Sequence, residues 1–277
     1  MTVRIVTDSG ADIPPADAQG LGITVVPLYV RFGEKVYRDG VDITADEFYT
    51  RLVKESATPF TSSPPPGDFI QAYRELATST DTILSVHVTA KHSATCGTAR
   101  LAAQSAERPG CHIEILDSQG VTAWQGLVVM AAARVAQAGG TLQQVMDKAQ
   151  ETIGRLKGVA VLDTLSYVAR GGRLKWALTT LGSVLSVKPI ITLHNGEVRP
   201  LGLARNKRKG MERLLNVVKS SDKWQELSVV YSSTAEEAHH LAEQIHAIIP
   251  HIKPRIDRFG PALGVHAGPG ALAVVGH

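Results

Sequence analysis

Along the chain, short apolar runs alternate with polar turns and then with helical patterns. Val3 to Val6 reads as a buried strand that stops in Thr7-Asp8-Ser9-Gly10, and Asp12-Ile13-Pro14 then starts a brief helix around Pro15 to Gln19. Ile83 to Val88 is too short for a helix and rich in β-branched residues, so a second buried strand is expected there. It runs into the hydroxyls Thr89, Ser93, Thr95 and Thr98, and then into a helix with Ala99, Ala102, Ala103 and Ala106 on one side. His112 to Leu116 repeats the unit and ends in Asp117-Ser118. Strand, turn and helix recurring in this way predict a parallel sheet covered by helices, with its polar strand ends on one edge.

The intervening segments follow the same logic. Ile23 to Arg31 reads as a strand, and Phe32-Gly33-Glu34-Lys35 turns it into Val36 to Arg38 as a hairpin. Thr44-Ala45-Asp46-Glu47 is a capping box for a helix with Phe48, Leu52 and Val53 on its apolar face. In Pro59 to Gly67 the prolines exclude a helix and hold the backbone extended, so Thr61, Ser62 and Ser63 are presented from a stiff loop. A helix resumes over Asp68 to Leu76, and long helices are expected at Thr122 to Gln137 and, behind the capping box Thr141 to Gln144, at Leu142 to Leu156.

The rhythm shifts near Gly158, which divides the chain into domains of residues 1–157 and 158–277. The second half opens with strand Val159 to Leu162 and a short helix between Leu165 and Leu174 that the paired glycines Gly171 and Gly172 stop. A helix over Lys175 to Leu185 follows, and Pro189 within Val187 to Ile191 marks an edge strand or a strand entry. Asn195-Gly196 signals a hairpin into strand Val198 to Ala204. Helix Met211 to Val218, strand Leu227 to Tyr231 and helix Thr234 to Ile249 come next. Strand Arg255 to Phe259 then leads into the small-residue run Gly260 to Gly270.

Composition narrows the function. The 277 residues hold ample material for two α/β domains. A formal net charge of +3, with aromatics at 5% and no stripe of Lys and Arg interleaved with them, argues against nucleic acid. The densest basic cluster, Arg205 to Arg213, reads as a solvated helix start. Cys96 and Cys111 have neither metal-ligand spacing nor the density of a secreted scaffold, which points to reduced thiols in a cytoplasm. Met1 to Thr7 enters a strand directly and no apolar run is long enough to cross a bilayer, so the chain is read as soluble.

Candidate chemistry lies at the polar turns. Ser93 either caps its helix or, with the free N–H groups of the turn, takes an anion. Asp8 and Asp12 either bond their own turns or serve a metal or acid–base role. His266 sits among glycines and small residues that leave its imidazole free to project toward a ligand. Gly268 to Ala273 matches G-x-G-x-x-A, yet too little chain follows for a βαβ unit, and the dinucleotide reading fails. No G-x-S-x-G elbow, phosphate-binding G-x-x-x-x-G-K-[ST] loop or H-E-x-x-H occurs, which weakens a Ser93–His266 hydrolase or a phosphotransferase.

Taken in order, these pieces resemble the DegV family, the FakB-type bacterial fatty-acid-binding proteins, over essentially the whole length. The motifs that carry the likeness are TDSGADIP from Thr7, VPLYVRFG and YRDGVDIT from Val26 onward, TSSPPPGDF from Thr61 and HSATCGTA from His92. LDS at Leu116, LSYVARGGRL from Leu165, SVKPII from Ser186 and HAGPGALAV from His266 complete them. The chain departs from the family pattern at Ser93-Ala94-Thr95, where Ser-Gly-Thr is usual, and at Thr61 to Pro65 and Thr7 to Gly10.

The resemblance implies a two-domain α/β fold, a parallel-sheet N-terminal domain plus an α/β C-terminal domain, with an apolar ligand tunnel between them. It implies a carrier rather than an enzyme. The carrier holds a long-chain fatty acid and presents the carboxyl group to a separate fatty-acid kinase for acyl-phosphate formation, as a step of phospholipid synthesis. The fatty acid is its ligand, no cofactor or metal is required, and membrane contact is at most transient. Thr61 and Ser93 would bond the carboxylate, Ser62 and Thr95 stand beside them, His266 and Arg173 lie near the tunnel mouth, and Arg205 matches the family's post-hairpin Arg. A lipid-responsive regulator would use the same pocket, and remains the alternative to the carrier alongside the hydrolase.

Overall fold

The central strands form where apolar runs are buried on both faces, and most helices where one apolar stripe faces a sheet. The computed structural model describes residues 3–55, 58–106, 110–174, 177, 187–221 and 223–277. Its elements begin with β1 (Arg4–Asp8), α1 (Pro15–Gly20), β2 (Ile23–Val26), β3 (Tyr29–Phe32), β4 (Lys35–Arg38), α2 (Ala45–Lys54) and β5 (Phe60–Ser62). There follow α3 (Pro66–Leu76), β6 (Thr82–His87), α4 (Thr95–Ala106), β7 (His112–Asp117), α5 (Ala123–Gln137), α6 (Leu142–Arg155) and β8 (Lys157–Val161). Next come α7 (Ser166–Arg170), β9 (Lys188–His194), β10 (Glu197–Ala204) and α8 (Lys207–Lys219). The last are β11 (Leu227–Tyr231), α9 (Ala235–Ile248), β12 (Arg255–Arg258), α10 (Pro261–Ala267) and β13 (Leu272–Gly276). The expected helix Lys175 to Leu185 lies, but for Ala177, outside the described residues.

The chain forms two compact units, Met1–Tyr29 with Ser62–Arg155 and Val30–Thr61 with Leu156–His277. Residues 30–61 thus belong with the second half of the sequence, whereas the apolar pattern placed them inside a domain of residues 1–157. Pro27 explains how the chain leaves the first unit. Pro27 has no N–H to give to a neighbouring strand, and the expected strand over Ile23 to Arg31 divides there into β2 and β3. Leu28 N donates instead to Ser9 Oγ at 2.9 Å. β2 accordingly stays with the first sheet, and β3 enters a separate three-stranded sheet of order β4-β3-β5.

In the first unit the sheet order is β2-β1-β6-β7, and every neighbouring pair is parallel. Phe69 and Tyr73 of α3 and the alanine face of α4, Ala99, Ala102, Ala103 and Ala106, pack with Val6, Val26 and Ile83 of the sheet. α5 is apolar nearly all round, with Leu127, Val128, Val129 and Ala132 fully buried, as an interior helix must be. Pro66 does not exclude a helix: it is the first residue of α3, where a missing N–H costs nothing.

The second unit is built on a six-stranded sheet of order β10-β9-β8-β13-β11-β12. β13 lies within it, antiparallel to both β8 and β11, and all five of its residues are buried. No strand is expected after Gly270 from the pattern above, yet Leu272 to Val275 is a short continuous apolar run of the kind a buried strand makes. The small-residue run before it is helical over Pro261–Ala267. Pro261 starts α10, and the missing side chain of Gly264 admits Phe48 and Tyr49 of α2, whose Cε1 and Oη would lie 2.6 and 2.7 Å from a Cβ there. Tyr49 Oη then donates to Phe259 O at 3.1 Å. Asn195 and Gly196, at φ 50° and 77°, make the expected tight hairpin between β9 and β10.

Candidate functional site

In the second unit, β5 and α10 bring a hydroxyl and an imidazole together. Thr61 is the middle residue of β5 and half-buried, and His266 stands in the last turn of α10. Thr61 Oγ1 and His266 Nε2 are 3.1 Å apart. When Nε2 carries the proton, the ring donates to Oγ1, and the hydroxyl hydrogen is left to point at a third group. That arrangement gives a directed donor next to a group able to become cationic, which suits a carboxylate.

The loop after α7 backs this pair. Gly171 lies against the imidazole, and Arg173 donates through Nη1 to Gly171 O at 2.8 Å and through Nη2 to Thr61 O at 3.4 Å. Arg173, an exposed residue, therefore joins two backbone carbonyls. Gly268, at φ 70°, admits the Tyr167 ring, whose Cδ2 would lie 2.2 Å from any Cβ at that position. A small cavity of about 30 Å³ lies beside Gly171, bordered by Leu52, Thr58, Tyr167, Arg170 and Val265. It has room for a water or two.

The first unit holds the other expected hydroxyls. Ser93 Oγ is 2.7 Å from Thr95 Oγ1 and accepts from Thr95 N at 3.2 Å, so Ser93 caps the start of α4. Thr95 is fully buried, whereas Ser93 is half-buried. Ala94 is absent from the described non-glycine residues at positive φ, so the turn forms without a glycine there. Ser62 is exposed at the end of β5, and Arg205 is exposed just after β10. Among the expected site residues, Thr61, Arg173 and His266 meet one another in the second unit, and Ser93 and Thr95 meet in the first.

A buried polar chain beneath the Ser93 turn escaped the sequence reading. Asp8 accepts from Gly10 N at 3.0 Å and from Val88 N at 2.9 Å, and its Oδ2 holds His87 Nδ1 at 2.9 Å. His87 Nε2 meets Ser85 Oγ at 2.7 Å, and Ser85 Oγ meets Tyr73 Oη at 2.8 Å. Because a carboxylate only accepts, one direction satisfies every member: tyrosine to serine, serine to histidine, histidine to aspartate. The alternation of Ser85 and His87 within an apolar strand was the available signal. These residues have the composition of a hydrolytic triad, but Ser85, His87 and Asp8 are all wholly buried, so no substrate reaches the serine. Burial pushes the Tyr73 phenol above its ordinary range and the Cys96 thiol up to about 12. Cys96 is a packed thiol whose Sγ contacts Val88 O at 3.5 Å, with none of the character of a nucleophile.

Among the described residues there is no cluster of metal-binding side chains, and no helix long and apolar enough to cross a membrane.

A parallel-sheet unit with a hydroxyl-rich strand edge, joined in sequence to a mixed-sheet unit with a Thr–His pair, defines an α/β protein of two-unit architecture. The family model of the DegV proteins, described as uncharacterised, matches residues 2–276. A DegV domain-containing protein of Caldanaerobacter subterraneus subsp. tengcongensis is 32% identical over 275 residues, covering 98% of this chain and 97% of that one. This chain belongs to the DegV family. Among solved structures, a fatty-acid-binding DegV family protein of Thermus thermophilus superposes with a TM-score of 0.91 at 31% identity, covering 100% of this chain and 99% of that one. DegV of Bacillus subtilis, a fatty acid binding protein, gives 0.90 at 29% identity, with coverage of 99% and 98%.

Proposed function

We propose that this protein binds a long-chain fatty acid and presents its carboxyl group to a separate kinase, which converts it to acyl-phosphate. The observation that carries the reading is the Thr61 hydroxyl held 3.1 Å from His266 Nε2, in a chain whose solved relatives bind fatty acids. Burying an acyl chain is worth about 0.8 kcal/mol per methylene, on the order of 10 kcal/mol for a long chain before ordering costs. The head group must then replace its lost water with donors, each contributing roughly 1.5 to 3 kcal/mol when the acceptor is charged. Thr61 and Ser93 supply hydroxyls, and His266 supplies an imidazole that pairs with a carboxylate when protonated.

The carrier performs no bond-breaking step itself. Thr61 directs its hydroxyl hydrogen to the carboxylate, and the His266 imidazole pairs with the same group beside it until the kinase takes it. Arg173 and Arg205 are both exposed, which in this reading leaves them available to a protein partner. Incubating the protein with oleate, ATP and a bacterial fatty-acid kinase tests the hand-over. Acyl-phosphate forming only when all components are present supports it, and none forming with oleate-loaded protein and active kinase contradicts it.

A further inference from the structure

The paired glycines after α7 answer to different causes. Gly172 stands at φ 69° with open space around it, so it is the left-handed residue that ends the helix. Gly171 has no such backbone need, since φ −64° and ψ −17° are helical values open to every residue. What a side chain would meet there is the imidazole. A Cβ at position 171 would fall 2.2 Å from Nδ1, 2.8 Å from Cε1 and 3.4 Å from Cγ of His266, and no other heavy atom comes nearer. Ordinary contact needs about 3.5 Å, so the ring would have to retreat by about an ångström.

We infer that Gly171 is the seat of the His266 ring, a positioning residue that acts through the imidazole and sets where Nε2 meets the Thr61 hydroxyl. The ring has little freedom between the two. On one side is the Gly171 backbone, and on the other Thr61 Oγ1 stands at 3.1 Å, well inside hydrogen-bonding range. Arg173 holds the seat in register, because the same guanidinium bonds Gly171 O and reaches Thr61 O. The functional consequence rests on the fatty-acid reading, whereas the seat itself is a property of the lipid-free protein.

A double-mutant cycle on the full chain tests it, with Gly171→Ala, His266→Ala, the double variant, and Gly172→Ala as a control for turn strain. Melting temperature and the imidazole nitrogen resonances of His266 are read on delipidated protein, before and after oleate. Gly171→Ala is expected to lower the melting temperature by roughly 3 to 10 °C and to shift the His266 resonances, as overpacking against a fixed ring requires. In the His266→Ala background the same substitution costs little, because the atoms it strikes are gone. Should Gly171→Ala fail to fold alone, recovery of folding in the double variant is the same result in stronger form, and failure of both overturns the inference. Gly172→Ala lowers the melting temperature but leaves the His266 resonances in place. An equal loss from Gly171→Ala with and without the imidazole, or unmoved His266 resonances, overturns the inference. Wild-type His266 resonances that ignore oleate while the cycle shows coupling support the seat and count against the fatty-acid reading alone.

Discussion

The Asp8 carboxylate holds the His87 ring at 2.9 Å with both side chains entirely withdrawn from water, and the same carboxylate accepts from Val88 N at the end of β6. Asp8 thereby ties the tip of one parallel strand to its neighbour, directly before the turn that carries Ser93. Asp8→Ala strands two backbone donors and a histidine, and should cost roughly 3 to 5 kcal/mol in denaturant unfolding. Ser85→Ala, which separates His87 from Tyr73, should cost about 1 to 3 kcal/mol. An Asp8→Ala protein as stable as the wild type would show that the chain holds nothing together.

Thr61→Ala combined with Ser93→Ala should weaken oleate binding tenfold or much more while leaving the circular dichroism unchanged. Each lost hydroxyl leaves carboxylate lone pairs unmet at roughly 1 to 3 kcal/mol. Unchanged affinity in a displacement titration would reduce Ser93 to its observed role as cap of α4.

His266→Ala should keep its lipid yet lose most acyl-phosphate formation with kinase and ATP. The acyl chain stays buried, and the ring contributes at most one hydrogen bond to the bound acid. A variant that loses its lipid, but whose residual bound fraction is phosphorylated at the normal rate, would make His266 a holding residue.

The two cysteines should differ sharply toward a thiol reagent at pH 8. Cys96 is buried and its thiol is pushed up to about 12, so the thiolate is scarce and inaccessible; Cys111 is half-buried. Native protein should release about one equivalent of chromophore quickly and a second only in denaturant. Fast reaction at Cys96, identified by peptide mapping, would contradict the packing around α4.

Much of this molecule is legible in its sequence, and the failures have physical causes. β6 and its hydroxyl turn could be read because Ile83, Leu84, Val86 and Val88 make a short apolar stretch rich in β-branched residues that stops abruptly in hydroxyls. The capping boxes at Thr44 and Thr141 form as their spacing demands. β13 is a short continuous apolar run close behind the glycines Gly268 and Gly270, and its place in the sheet depends on strands far away in sequence. Segment 30–61 was assigned by chain order, whereas its packing is decided by Phe48 and Tyr49 meeting Gly264. At the site, Thr61 and His266 were individually suspected, but no local pattern shows that positions 205 apart share a hydrogen bond. The role of Gly171 is similarly hidden, since a helix-ending glycine pair already explains its presence.

The central claim is that this protein carries a fatty acid, and the most direct measurement is mass spectrometry of an organic extract of protein purified from a bacterial host, quantified against protein concentration. The account predicts a long-chain fatty acid in near-stoichiometric amount, with delipidated protein regaining oleate on incubation. An extract free of lipid from well-folded protein, together with no uptake of added oleate, would contradict it.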